Sequence, residues 1–236
     1  INDVFSDTNK MRNFLQTLSK MYKTSYNNIL LLKSQREDVS FVAEKLELEK
    51  LGYRVKDGES PLQYIKALKT GDHKLNFKAI EVFDISQTDA IKEKAKAFDK
   101  EYVETMLKGM CSRRGLYYNK DDLMQNIENI VSDISSNTRQ VPKSKYNVDR
   151  YATQSTIEVQ ATTFAVAKAL NINTRNYNLK DICKWGVEND NDKNSIRESL
   201  KNIQRFTNYF IRDYGTQERL NQIDNTKNKE EQEELE

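Results

Sequence analysis

Proline and glycine are scarce in this chain, which has two prolines and seven glycines among 236 residues. Because these residues interrupt helices most effectively, their scarcity favours long helices. Apolar residues at a spacing of three and four predict the first helix over 7–22, where Met11, Phe14, Leu15 and Leu18 share one face. The same pattern predicts further helices at about 25–34, 39–51, 88–108, 120–136, 155–171, 178–187 and 193–213.

A stretch in the N-terminal half has a different character. After a turn at Asp57-Gly58, strand-like runs are predicted at about 62–68 and 77–87. The polar segment 70–76 between them fits a hairpin connection. The sequence therefore predicts an α+β fold, with a small antiparallel sheet packed with helices in the N-terminal half and a mostly helical C-terminal half.

No segment of the sequence has the composition of a membrane span. The longest unbroken apolar run is four residues, at 29–32, and the N-terminus is polar. The two cysteines, Cys111 and Cys183, are too few for a disulfide framework and are expected to be reduced thiols. We therefore expect a soluble cytoplasmic protein. The net charge of +2 permits nucleic-acid binding without requiring it, and the segment 139–150 is locally basic.

The sequence lacks the residue patterns of the common catalytic and cofactor sites. His73 is the only histidine, so no pair of histidines can form the zinc site of a peptidase helix. There is no glycine-rich phosphate loop and no G-x-S-x-G nucleophile motif. We expect no catalytic residues, no metal and no cofactor, and therefore no enzyme. A metal site built from carboxylates alone stays open, because acidic residues are frequent throughout the chain.

Two motifs in the N-terminal half resemble the ArdC/LtrC-like family of plasmid and conjugative-element proteins. They are "KLGYRVKDGE" at 50–59 and "EVFDISQTD" at 81–89. A third stretch, at 155–186, is similar to the second half of that family, and the matched pieces together span about 11–213. The resemblance implies an N-terminal domain that binds single-stranded DNA, followed by a helical domain built on a zincin-like metallopeptidase scaffold.

The resemblance also implies that the peptidase-like domain has lost its metal site. Where the family often carries an H-E-x-x-H helix, this chain has Ile127 and Val131 at the two histidine positions. Glu128 then occupies the general-base position, and Glu158 the third-ligand position. Aliphatic side chains supply no nitrogen ligand, so this helix is expected to pack rather than to catalyse. A second role is open for Glu158, because Ser155 to Glu158 fits an S-x-x-E capping box.

The candidate DNA-binding residues come from the N-terminal half. Single-strand binding needs cations for the phosphates and flat side chains for base stacking. Such residues flank the second helix, surround the Asp57-Gly58 turn and lie on the predicted strands. The predicted set is Tyr22, Lys23, Tyr26, Asn28, Lys33, Gln35, Arg36, Tyr53, Arg54, Lys56, Tyr64, Lys66 and Gln87. In the competing interpretation, the aromatic residues belong to the core and the cations to ordinary solvated surface.

From the residues and the resemblance together, we expect a single-stranded DNA-binding protein of a plasmid, phage or conjugative element, acting in antirestriction or DNA transfer. Residues 1–90 would form the DNA-binding domain, 91–215 a catalytically inactive peptidase-like helical domain, and 216–236 a polar acidic tail or linker. The alternative is a protein-interaction module that docks a restriction or transfer component without binding DNA. The expected partners are single-stranded DNA and a protein of the restriction or transfer machinery, and not a membrane.

Overall fold

The computed structural model describes residues 2–69, 75–89, 99–138 and 148–233. Its helices are α1 (Thr8–Lys20), α2 (Tyr26–Gln35), α3 (Lys45–Lys50), α4 (Lys100–Arg113), α5 (Leu123–Thr138), α6 (Val148–Ala169), α7 (Lys180–Glu188) and α8 (Lys193–Glu233). Its strands are β1 (Val42–Ala43), β2 (Leu62–Lys69) and β3 (Leu75–Asp84), and short 3-10 turns cover Asn2–Phe5 and Ile85–Gln87. The fold is α+β, as the sequence predicts. The predicted hairpin connection around His73 lies outside the described residues.

The sheet is antiparallel and has the strand order β1-β3-β2. β2 and β3 form a hairpin in which Leu62 lies opposite Val82. On the other side of β3, Val42 of β1 pairs with Asp84. β3 is therefore the central strand, and β2 is an edge strand whose outer backbone groups need other partners.

The prediction of one helix over 39–51 is wrong in its first half. Val42 and Ala43 form β1, and α3 begins only at Lys45. A strand of two residues shows no readable period, because its formation depends on the partner that β3 offers across the chain. Gly52, which follows α3, has a φ of +84°. Glycine adopts this conformation without steric cost, which makes Gly52 a suitable end for the helix.

The helix predicted at 155–171 begins earlier than expected. α6 starts at Val148, so Ser155 and Glu158 lie in its interior. The capping-box role considered for these two residues is therefore wrong, because backbone amides inside a helix already donate to carbonyls one turn earlier.

Two other helices also differ in extent from the prediction. α4 begins at Lys100, with Asp99 as its N-cap, whereas a helix was predicted from 88; residues 90–98 lie outside the described part of the chain. α8 continues to Glu233, past the predicted end at 213. None of the helices in the described ranges combines the length and the apolar character that crossing a bilayer requires.

The largest apolar cluster draws on both halves of the chain. Phe14 and Leu18 of α1 are buried together with Leu62 of β2, Phe164 of α6 and Ile203 of α8. The helical half therefore completes the core on which the N-terminal helices and the sheet rest. The division of the chain at residue 90 stays a prediction.

A second cluster is formed by α4, α5, α6 and α8. Ile127 and Val131 of α5 are fully buried in it, against Leu107 of α4, Val166 of α6 and Phe210 of α8. The expectation that α5 packs is confirmed, since its apolar stripe contributes to the core over the whole length of the helix.

Arg12 joins α1 to the loop that follows α6. Its guanidinium donates to the carbonyl oxygens of Thr174 and Tyr177, each at 3.1 Å, and lies 5.1 Å from the centre of the Phe164 ring. A guanidinium that bonds to two carbonyls and stacks on a ring is held in one orientation. It fixes α1 against the helical half.

Candidate nucleic-acid interface

The outer half of the β2–β3 hairpin extends beyond the core. Leu62 and Tyr64 of β2 and Val82 and Ile80 of β3 pack against the main cluster. Farther along the hairpin, all the side chains of Ile65–Leu68 and of Asn76–Ala79 are exposed. We call these two segments the arm. Because side chains alternate between the faces of a strand, the arm presents two different surfaces.

One face of the arm carries a pair of cations. Lys66 and Lys78 lie directly opposite each other in the β2–β3 register, and both are exposed. Within the described residues, neither lysine forms an ion pair. Like charges at directly opposite positions destabilise a strand pair. The half-buried Tyr64 lies on the same face, one pair closer to the core, opposite Ile80.

The other face of the arm is apolar and carries an aromatic ring. Here Ile65 lies opposite Ala79, and Ala67 lies opposite Phe77. Phe77 is 66% exposed and Ile65 is 43% exposed. A phenyl ring exposed to this degree on a two-stranded ribbon is accessible to a planar ligand from the solvent side.

Sequence reasoning placed Tyr64 and Lys66 in the site but missed Phe77 and Lys78. The signal was present, because an aromatic residue, Phe77, and a basic residue, Lys78, are adjacent at the start of a predicted strand. Its meaning depends on the register, which places Lys78 opposite Lys66. That register cannot be read from either strand alone.

The fold already occupies the side-chain amides of Asn28 and Gln35. Asn28 donates to the carbonyl of Ile65 at 2.8 Å and accepts from its amide at 3.1 Å. Gln35 makes the same pair of bonds to Gln63, at 2.7 and 2.8 Å. The two amides bond backbone groups on the outer edge of β2, which a further strand would otherwise pair with. Their assignment to DNA stays a prediction.

Lys33 and Arg36 are also engaged near the end of α2. The Lys33 ammonium donates to the Asn13 side-chain oxygen at 3.1 Å and to the Glu37 carbonyl at 2.6 Å. Burial lowers the pKa of Lys33. Arg36 pairs with Asp38 at 3.1 Å and with Glu59 at 3.8 Å. Both cations are therefore already partly satisfied within the fold.

Gln87 lies buried at the end of β3. Its side-chain oxygen accepts from the Asp84 amide at 2.8 Å, and its nitrogen donates to Glu59 at 2.9 Å and to the Ser60 carbonyl at 2.8 Å. These bonds use both ends of the side-chain amide. Gln87 thus holds the 3-10 turn after β3 against the start of β2.

The remaining predicted residues of the N-terminal half are spread over three places. Tyr53 is half-buried against the small cluster around Leu48, and Arg54 beside it is exposed. The Lys56 ammonium donates to the carbonyl of Ser86 at 3.1 Å. Tyr26 is half-buried against the main cluster. Tyr22 and Lys23 line a different concavity, next to α5 and α8.

In the helical half, the two positions compared with metal-binding histidines are filled with hydrocarbon. Ile127 and Val131 are both 0% exposed. Glu128 of the same helix is exposed, whereas Glu158 of α6 is fully buried. In the parts of the chain that the structure describes, no cluster of three or more histidine, cysteine or acidic side chains could hold a metal ion.

Glu158 is fixed by neutral donors from α6 and α8. One carboxylate oxygen accepts from the Ser199 hydroxyl at 2.9 Å and from the Gln154 side chain at 3.1 Å. The other oxygen accepts from the Asn202 side chain at 3.0 Å. A buried carboxylate needs such donors to offset its desolvation, and here they join the two helices at the centre of the helical half.

The fold and this site define an α+β protein that presents a two-stranded arm with one cationic face and one apolar, aromatic face.

No family model matches the sequence, and no curated protein matches it significantly. Among solved structures, the chain is similar to antirestriction ArdC protein from R388 plasmid. For the Mn(II)-bound structure the TM-score is 0.45 and the identity 13%, over 79% of this chain and 83% of that one. For the metal-free structure the TM-score is 0.45 and the identity 14%, over 80% and 84%. The motifs at 50–59 and 81–89 resemble the family of the same name.

Proposed function

We propose that the protein binds single-stranded DNA through the arm and acts in antirestriction or DNA transfer for a mobile element. The observation that carries the proposal is the cross-strand pair of Lys66 and Lys78, with the exposed ring of Phe77 on the reverse face of the same ribbon. The mobile-element role rests on the motif resemblance, and the binding mode rests on the chemistry of the arm.

The lysine pair suits a phosphate. Side chains at directly opposite positions have Cβ atoms about 4.5–5.5 Å apart, so two flexible ammonium groups can reach one phosphate between them. An anion bound there replaces the repulsion between Lys66 and Lys78 with two attractive contacts. Binding of a polyanion should therefore stabilise the arm electrostatically.

The exposed ring of Phe77 favours a single strand over a duplex. Bases in a duplex are already stacked on one another, whereas those of a single strand are free to stack on an aromatic side chain. Such stacking is tolerant of sequence, because every base has a flat face. We therefore expect binding with little sequence preference.

We further propose that the helical half is a scaffold without catalytic activity. The support is chemical: Ile127 and Val131 offer no ligand atoms, and the Glu158 carboxylate already accepts from Ser199 and Asn202. Metal analysis of untagged protein tests this proposal. We expect no stoichiometric zinc or manganese after dialysis; one equivalent of either metal, lost when Glu158 is replaced by Gln, would contradict it.

Binding of a labelled oligothymidylate, measured by fluorescence anisotropy over a range of salt concentrations, tests the DNA-binding proposal. Each phosphate contact contributes about −0.7 to the slope of log K against log salt for a single strand. The double variant Lys66→Gln with Lys78→Gln loses the one phosphate that the two lysines share, so its slope should be less negative by about 0.7. As a matched control, Lys108→Gln with Lys180→Gln removes two exposed lysines from the helical half and should leave the slope unchanged.

Equal slopes for the arm variant and the wild type would show that the arm does not contact phosphate. A duplex of the same length provides the comparison for strandedness and should bind more weakly than the single strand. If neither form binds at low salt, the DNA-binding function is wrong.

The second candidate function is docking of a protein of the restriction or transfer machinery. The apolar face of the arm favours it, because Ile65 and Phe77 are among the most exposed large apolar side chains of the described residues. The two functions differ in their dependence on salt. Binding of a purified candidate partner that is lost in Phe77→Ser, unchanged in the double lysine variant and insensitive to salt would favour docking.

A further inference from the structure

A concave surface lies outside the arm, between the turn after α1, the end of α5 and the middle of α8. It is a cleft of about 650 Å³ that opens to solvent. Its lining includes Tyr22, Lys23, Arg114, Tyr209, Arg212 and Gly215. A volume in this range accommodates a small organic ligand.

The cleft carries an excess of positive charge. Arg114 donates to Asp213 at 2.8 Å and also bonds Asp133, and Arg113 pairs with Asp213 at 3.1 Å. These two arginines and two aspartates neutralise one another. Lys23 and Arg212 also line the cleft, and within the described residues neither has an ion-pair partner. The local balance is therefore positive, and an anion is the complementary ligand.

Each of these two cations stands beside a tyrosine. The Lys23 ammonium lies 5.7 Å from the centre of the Tyr22 ring. Arg212 follows Tyr209 by three residues on α8, which places both on one helix face. Tyr209 is 43% exposed. The cleft thus offers flat rings from two separate elements, with cations that form no ion pair among the residues the structure describes.

The two elements are held in position by a hydrogen bond. The side chain of Gln204, on α8, donates to the backbone carbonyl of Tyr22 at 2.8 Å. The turn that carries Tyr22 and Lys23 is thereby fixed to the helix that carries Tyr209 and Arg212. The backbone positions that carry the two tyrosines and the two cations are therefore fixed relative to each other before any ligand enters.

We propose that this cleft binds a nucleoside phosphate. The base would stack on a tyrosine ring, and the phosphate would pair with Arg212 and Lys23, since a nucleoside phosphate combines a large flat ring with a compact anion. The nucleotide could be free in solution or belong to a DNA strand that also contacts the arm. The site does not depend on the arm, so its existence is tested separately from the proposed function.

The test uses 2′-deoxyadenosine 5′-monophosphate as the probe and isothermal titration calorimetry on the full chain. We expect saturable binding by the wild type, and weaker binding of deoxyadenosine and of inorganic phosphate. Arg212→Gln and Tyr209→Ala should each weaken binding about tenfold, within the range of one lost charged contact or one lost stacking contact. Tyr117→Ala removes a tyrosine that is 81% exposed outside the cleft, and it should have no effect.

A further variant blocks the cleft without removing a charge. Gly215 lines it, and a Cβ added there meets no heavy atom within 4 Å, so Gly215→Leu can place its side chain in the open space. Leucine is a better helix former than glycine, so α8 should persist, and circular dichroism checks this. We expect this variant to lose binding of the monophosphate while keeping its helicity.

The proposal is overturned if the wild type shows no saturable binding of the monophosphate, or if Arg212→Gln, Tyr209→Ala and Gly215→Leu all bind it like the wild type. Competition with oligothymidylate identifies the source of the nucleotide: displacement of the monophosphate indicates a nucleotide of the strand, and independent binding of both indicates a free nucleotide. Oligonucleotide binding that persists without monophosphate binding would reject the cleft alone and leave the proposed function standing.

Discussion

The side-chain amide of Gln35 bonds both outward-facing backbone groups of Gln63, accepting from its N–H at 2.8 Å and donating to its carbonyl at 2.7 Å. Asn28 repeats the arrangement at Ile65. α2 thereby satisfies the edge of β2 with two side chains in place of a fourth strand. Covering an edge in this way also prevents another chain from pairing with it.

Replacing both amides should therefore affect stability and self-association rather than DNA affinity. The double variant Asn28→Ala with Gln35→Ala removes the four hydrogen bonds to β2 and the bond from Gln35 to the Leu31 carbonyl. All lie in a partly exposed place, and we expect the free energy of unfolding to fall by about 1–2 kcal/mol. Urea denaturation measures this loss, and light scattering measures any pairing of the uncovered edge. A large loss of oligonucleotide affinity at unchanged stability would instead assign these amides to DNA.

Phe77 should contribute to DNA affinity without contributing to the core. Its ring is 66% exposed, so Phe77→Ala should leave the melting temperature almost unchanged. The affinity for a single strand should fall by about 1–3 kcal/mol, roughly 5- to 150-fold, with the salt slope intact. Anisotropy titrations at several salt concentrations separate this effect from the charge effect of Lys66 and Lys78. Tyr117→Ala is the control, and an equal loss in both variants would exclude a specific role for Phe77.

Gly186 leaves no room for a side chain. A Cβ built there would lie 2.3 Å from the ring of Phe5, which is buried and packs against Trp185 at a centroid distance of 6.0 Å. Gly186→Ala should therefore destabilise the protein by about 1–3 kcal/mol through overpacking. Thermal denaturation measures the effect, and Phe5→Leu in the same background should restore part of the loss.

Replacing Gly215 with alanine should have the opposite effect on stability. Gly215 also lies inside a helix, but an added Cβ meets nothing within 4 Å. Gly215→Ala should stabilise the protein by about 0.5–1 kcal/mol, because alanine loses less backbone entropy in a helix than glycine does. If both variants were destabilised equally, the space around the two glycines would not be what decides their effects.

Asp84 should make stability depend on acid pH. Burial raises the pKa of Asp84, but hydrogen bonds from the backbone amides of Ser40, Ser86 and Phe41 outweigh burial and lower the pKa below the ordinary value of 3.8. The unfolded chain therefore takes up a proton at Asp84 more readily than the folded one. The stabilisation is complete above the unfolded pKa and is lost as pH falls through the folded pKa.

Denaturation of Asp84→Asn over a range of pH tests this dependence. The variant should be less stable than the wild type at neutral pH, since its side chain presents an amide where a charged acceptor of three amides is needed. The difference should shrink as pH falls below about 4. A constant difference across that range would show that Asp84 does not titrate with folding.

Local apolar periodicity was enough to predict helices whose pattern lies within a single segment of the sequence. The stripe of Met11, Phe14, Leu15 and Leu18 predicted α1, and all four are buried. The apolar face of α5 was predicted equally well. The two-residue strand β1 was not, because it exists through its pairing with β3. The start of α6 was missed although Val148, Tyr151 and Ala152 in its first two turns, "VDRYATQ", lie at helical spacing.

The candidate site was predicted less completely than the fold. Residue types that suit DNA also suit edge strands and buried turns, so Asn28, Gln35 and Gln87 could not be separated from Lys66 by chemistry alone. Only the contacts in the fold distinguish these residues. The amides of Asn28, Gln35 and Gln87 accept from the backbone of Ile65, Gln63 and Asp84, respectively, whereas Lys66 lies opposite a second lysine. Tertiary contacts decide such cases, and one sequence does not contain them explicitly.

α8 contributes Leu200 and Ile203 to the main cluster and Phe206 and Phe210 to the second. One continuous helix thus contributes to both hydrophobic clusters, so unfolding of one cluster exposes apolar residues of the other. We therefore expect differential scanning calorimetry to record one cooperative unfolding transition for the two clusters. Any compound that engages the arm or the cleft should then shift that single peak, which makes thermal-shift screening sensitive to ligands at either surface.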